Sequence, residues 1–127
     1  VKEAGLVMLG GASGALARYM LQVLALRLGF SSQIGIFAVN VSGSFALGLL
    51  LSLWLAKTSY PPGLQLLLAV GFLGSFTTFS TVMWDSFRLA QNDSVLMALL
   101  NLSGSVAAGL AAVALGFLAG RLIAQVA

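Results

Sequence analysis

The sequence predicts an all-α membrane protein of four transmembrane helices, with the third helix broken at its centre. Three observations carry that prediction. Hydrophobic residues make up 60% of the 127-residue chain and charged residues only 7%, with a mean hydropathy of +1.07. A water-soluble domain this small has no interior large enough to hide that much apolar surface, so the solvent must be lipid. Four windows reach the roughly 20 apolar residues that a bilayer core requires: Ala4–Leu28, Ile34–Ala56, Leu64–Leu89 and Val95–Ile123. The third window holds Gly-Ser-Phe-Thr-Thr-Phe-Ser-Thr, residues 74–81, with five hydroxyl side chains in eight residues.

The separators between the windows are ordinary. Gly-Phe-Ser-Ser-Gln parts the first two, and Lys-Thr-Ser-Tyr-Pro-Pro-Gly parts the second and third, where Pro61 and Pro62 stop any helix. Gln-Asn-Asp-Ser parts the last two, and Ser94 or Asp93 is suited to cap the fourth helix. The chain reads as one four-helix membrane domain, residues 1–127, with no linker or low-complexity tract. Lys2, an apolar run and Ala15–Ala17 imitate a secretory signal, but Gly-Gly-Ala-Ser-Gly interrupts the run and hydrophobicity continues past the cleavage position. The segment is therefore expected to be a span. The first residue is valine, so the chain is expected to lack its initiator end.

Composition removes whole classes of chemistry. With no cysteine and no histidine, disulfides, thiolate catalysis, most zinc sites and a histidine base are excluded. No paired carboxylates, activated nucleophile or phosphate loop is present, so the chain reads as a non-enzyme. Its six basic residues are scattered and leave no nucleic-acid footprint. They also leave orientation open. Four spans put Lys2, Lys57 and Arg121 on one side, with Arg27 and Arg88 on the other and Arg18 near the end of the first span. So weak a bias permits either one orientation or a dual topology in which copies insert both ways and pair antiparallel. Gly10/Gly14, Gly116/Gly120, Ser44/Gly48 and Ser105/Gly109 are small pairs at four-residue spacing, which points to close helix packing and to no particular chemistry.

The hydroxyl-rich centre of the third span has two readings. Its Ser and Thr side chains compete with the helical ladder for backbone partners, which favours a break near Gly74–Thr78 with freed carbonyls suited to a small hard cation. Alternatively they bond back to the preceding turn of an ordinary helix. Asn40 and Ser44 share a face of the second span, and Asn101 and Ser105 share a face of the fourth. Each stripe is either interhelical glue or a line of N–H and O–H donors for an anion. Arg18 either snorkels to the interface or draws anions into a vestibule. Asp85 and Arg88, at i,i+3, are expected to pair at the end of the third span. No acid is expected mid-span, which counts against a proton-driven exporter.

The segments Gly-Ala-Leu-Ala-Arg-Tyr, Ala-Val-Asn-Val-Ser-Gly-Ser-Phe-Ala-Leu-Gly, Gly-Phe-Leu-Gly-Ser-Phe-Thr-Thr-Phe-Ser-Thr and Gly-Ser-Val-Ala-Ala-Gly-Leu, in this order, closely resemble the Fluc/CrcB fluoride channel family over essentially the whole chain. The resemblance implies an antiparallel, dual-topology homodimer in the bacterial plasma membrane, with two fluoride pores and a structural sodium ion between the subunits. It implies that Gly74 and Thr77 carbonyls hold the sodium, that Asn40, Phe79 and Ser105 line the pore, and that Arg18 is the family's first-span arginine. Thr77, Ser44 and Asn101 are further pore candidates, Asn101 at a position where members vary. A passive anion path suffices for export, because a negative membrane potential drives anions outward. Amide and hydroxyl donors replace the water of a small, tightly hydrated anion, and a phenylalanine ring edge adds weak attraction.

One position departs from the family pattern. Val82 stands where the motif has a second pore phenylalanine. Natural variation, an introduced substitution or one half of a heterodimeric pair each account for it. Two alternatives to a channel remain: a small dual-topology drug or cation exporter of four helices, and a purely structural membrane subunit.

Overall fold

The computed structural model describes residues 1–56 and 60–126. Lys57, counted above for orientation, lies outside the described residues. Among the described residues, four segments are long and apolar enough to cross a membrane: Lys2–Arg27, Ser32–Ala56, Pro62–Asn92 and Val95–Val126. No strand occurs among the described residues.

The first two segments are single helices, α1 (Lys2–Arg27) and α2 (Ser32–Ala56). α1 runs through Ala15–Ala17 without interruption. Gly29 turns the chain between them at φ +84°, a conformation open to glycine because it has no Cβ. Ser31 Oγ then accepts the N–H of Ile34 at 3.4 Å and caps α2. The third segment is composite. Pro62 starts a one-turn helix, α3 (Pro62–Gln65), where a missing N–H costs nothing. A π-helical stretch, Leu66–Leu73, follows, then α4 (Gly74–Phe76), two residues with extended backbone, Thr77 and Thr78, and α5 (Phe79–Asn92). Ser94 caps the last helix, α6 (Val95–Val126), by accepting the N–H of Met97 at 3.1 Å. The π-helical stretch has no counterpart in the sequence reading.

The interior is built of small residues. α2 packs most extensively on α6, α1 on the π-helical stretch and α4, and α5 on α6. Only a few apolar side chains are buried, among them Ile36, Val39, Leu73, Phe76 and Val82, while many leucines point outward. This is the arrangement lipid favours. Leucine gains little by leaving an apolar solvent, so helices associate through close backbone contact instead. A Cβ on Gly10 would overlap the Leu67 carbonyl oxygen, and one on Gly14 that of Phe72. Both carbonyls belong to the π-helical stretch, whose wider turns thus lie directly on the backbone of α1. Between α2 and α6, a Cβ on Gly116 would meet the Phe45 carbonyl oxygen and one on Gly48 that of Val113.

These contacts separate structural glycines from neutral ones. Gly116→Ala is expected to destabilise the protein by about 2 kcal/mol through overpacking. Gly104→Ala, with open space around its added methyl, is expected to be neutral or slightly stabilising. Thermal unfolding in detergent micelles checks the pair.

Candidate functional site

The two extended residues of the third segment, Thr77 and Thr78, are held by a side chain from another helix, and this point is called the break. Asn40, half-buried on α2, accepts the N–H of Thr78 on Oδ1 at 2.8 Å and donates from Nδ2 to the Thr78 carbonyl at 3.0 Å. Its carboxamide thus behaves as a borrowed peptide group and satisfies both polar atoms of one extended residue. Gly43, one turn along the same helix, makes room for this docking, since a Cβ there would collide with the Thr77 methyl. Thr78 then caps α5, its hydroxyl oxygen accepting the N–H of Thr81 at 3.3 Å.

The carbonyls before the break are affected in turn. The last helical bond runs from Thr77 N–H to the Leu73 carbonyl at 3.1 Å. The next donor, Thr78 N–H, goes to Asn40, so the Gly74 carbonyl loses its i+4 partner. The Thr77 carbonyl accepts from Arg18 at 3.2 Å. Arg18 therefore reaches from α1 to the break. Because a carbonyl oxygen has two lone pairs, Thr77 retains one acceptor position. This donor set of neutral backbone oxygens suits a hard monovalent cation better than a transition metal. No cluster of acidic ligands competes for that role among the described residues.

Beside these extended residues lies a groove of about 320 Å³. Asn40, Ser44, Gly74, Thr77, Phe79, Val82 and Ser105 all line it, so one space gathers predicted residues from three of the four spans. Apolar walls come from Leu47, Leu73, Met83, Leu102 and Val106. The hydroxyls divide into two groups. Ser42 and Ser103 donate back to Val39 and Leu99 on their own helices. Thr77 donates to Leu73 at 2.9 Å, so its hydroxyl proton is already committed. Ser44 and Ser105, facing the groove, have no hydrogen-bond partner among the described residues and keep their donors for a ligand. Asn40 likewise has a second N–H beyond the one bonded to Thr78. Phe79 is 76% exposed on the subunit, whereas Val82 is buried in the groove wall.

One predicted residue stands apart from the groove, and one expected pairing is not formed. Asn101 does not line the groove; its Nδ2 donates to Ser86 Oγ at 2.8 Å, between α6 and α5. The i,i+3 spacing placed Asp85 in a pair with Arg88 at a helix end. Instead, Asp85 is buried, and its Oδ2 has no hydrogen-bond partner. Ser86, buried beside it, was missed altogether; its only sequence signal was a hydroxyl one turn after Val82.

Removal of the Asn40 carboxamide is expected to expose the break. Asn40→Ala leaves two part-buried backbone groups unpaired, a cost of about 1–3 kcal/mol. Amide exchange at Thr78 is therefore expected to accelerate by at least about tenfold, measured by hydrogen–deuterium exchange in micelles.

Comparison with known proteins finds relatives along nearly the whole chain. The profile of the CrcB-like family, described as Camphor Resistance (CrcB), matches residues 5–117. A protein of Solibacter usitatus named "Fluoride-specific ion channel FluC" is 42% identical over 91% of this chain and 96% of its own. Proteins of the same name from Magnetococcus marinus and Chlorobaculum tepidum are 44% and 39% identical, over 92% and 96% of this chain and 96% and 97% of theirs.

Proposed function

Since the chain belongs to the CrcB-like family, we propose that it is a passive, fluoride-selective anion channel of a bacterial plasma membrane. The observation that carries the reading is the groove beside the break. It presents an amide N–H from Asn40 and free hydroxyls from Ser44 and Ser105, with the Phe79 ring on its wall. Donors without a formal charge suit a permeating anion. They offset part of the loss of hydration, yet bind weakly enough to release it. Phe79 contributes the positive edge of its ring quadrupole.

Two further parts of the proposal concern assembly and charge. A second copy, inserted in the opposite sense, covers the exposed Phe79 and the face around Gly74, giving an antiparallel dual-topology homodimer with two pores. In that assembly the Gly74 and Thr77 carbonyls of each subunit hold a structural sodium ion. The ion supplies fixed positive charge near the anion path and is not itself transported. Support for it comes from the Gly74 carbonyl lacking its helical donor and from the acceptor position left on Thr77. In this reading the third span is functionally a broken helix, its backbone facing a cation and its side chains an anion.

The decisive experiment is efflux from liposomes holding the purified protein, read with a fluoride electrode against a chloride control. Fluoride release without chloride release is expected. A proton-coupled exporter instead requires a pH gradient, and a structural subunit gives no flux. Val82 supplies no ring edge, so Val82→Phe is expected to raise the fluoride rate; equal rates overturn the role given to this position.

A further inference from the structure

We infer that Asn101 and Ser86 form a positioning relay that fixes the groove wall at Val82 and so sets how strictly the groove discriminates among halides. The inference rests on the fluoride-channel reading and concerns residues that do not touch the ion.

The relay consists of two short hydrogen bonds in series. Asn101 Nδ2 on α6 donates to Ser86 Oγ at 2.8 Å, and Ser86 Oγ donates to the Val82 carbonyl at 2.7 Å. Ser86 is only 3% exposed, so water does not compete for either bond. The Val82 carbonyl lies one turn before Ser86 on α5, where the helical ladder already supplies a donor. A second donor from a serine hydroxyl at i+4 shares that carbonyl with the ladder bond. Asn101 then removes the remaining freedom of that hydroxyl by giving it a partner on a different helix.

Position explains why this matters for the groove. Val82 lines it from α5, and Ser105 lines it from α6 one turn beyond Asn101. The relay therefore ties α6 to α5, both of which line the groove. Valine in a helix has essentially one side-chain rotamer, so a fixed backbone at Val82 also fixes the methyl surface seen by an ion. The gap between Val82 and the free Ser105 hydroxyl is thus set by residues behind the wall. A small anion reaches that hydroxyl, and a larger one requires the walls to part. The chemistry is also local to the third and fourth spans. Loss of the relay loosens the gap without disturbing the Asn40–Thr78 pair, which is held by α2.

The test compares fluoride and chloride efflux from liposomes for the parent, Asn101→Ala, Ser86→Ala, the double variant and Ser86→Thr. Each single alanine variant is expected to lower the fluoride-to-chloride rate ratio several-fold, mainly by raising chloride flux. The double variant is expected to match the singles, because both act through one chain of bonds. Ser86→Thr, which keeps the hydroxyl, is expected to retain the parent ratio; a merely structural role would not link selectivity to that oxygen. Hydrogen exchange on α5 supplies a second readout, with faster exchange expected around Ser86 in both alanine variants and unchanged exchange at Thr78. Unchanged ratios in the alanine variants, or additive losses in the double variant, overturn the relay while leaving the channel reading intact. A parent protein that carries no fluoride overturns both.

Discussion

The structure depends on one exchange of hydrogen bonds, between the Asn40 carboxamide and the backbone of Thr78. In a hydrocarbon solvent an extended residue is intolerable unless something replaces the ladder bonds it gives up. Asn40 replaces both at once, from a helix that the chain completes before the break is made. Everything distinctive about the third span follows. The helix is able to stop at Phe76 and restart at Phe79, the Gly74 carbonyl is released, and the side chains of Phe79 and Val82 are re-aimed from the register they would hold in a continuous helix. Arg18 adds a positive charge at the adjoining carbonyl, which steadies the end of the interrupted dipole.

The same economy appears in the packing. A subunit that buried large side chains at its helix contacts would gain little in lipid and would hold its backbones apart. Glycines at Gly10, Gly14, Gly48 and Gly116 instead let carbonyl oxygens of one helix rest on the backbone of the next. This closeness also lets short side chains act across helices. Asn40 has only two rotatable bonds, and Asn101 and Ser86 are no longer, yet each reaches its partner at 2.8–3.0 Å.

Much of this was legible in the amino-acid order. Bilayer thickness dictates span length, so the four windows were readable, and the Ser94 cap follows from a hydroxyl placed just before an apolar run. The pairing of Asn40 with Ser44 was readable from helical periodicity, since both sit on one helix and no tertiary knowledge was needed. What escaped is what depends on the roll of one helix against another. Asn101 has the same spacing to Ser105 as Asn40 has to Ser44, but α6 meets α5 differently, and its amide turns to Ser86. Asp85 looked like an ion-pair partner at a helix end because sequence separation says nothing about burial. The π-helical stretch was invisible for a similar reason: Leu66–Leu73 is uniformly apolar and equally compatible with a regular helix.

The length of α6 has a mechanical consequence. Its 32 residues extend about 48 Å, against a hydrocarbon slab of roughly 30 Å. Such a rod must lean or protrude, and the lean adjusts as the slab thickens or thins. Because α6 forms one side of the groove and grips α2 through Gly48 and Gly116, its inclination is shared with its neighbours rather than absorbed alone. Hydrophobic mismatch is thereby converted into a change of angle at the ion's doorway, and the acyl-chain length of the host membrane becomes a variable acting on permeation.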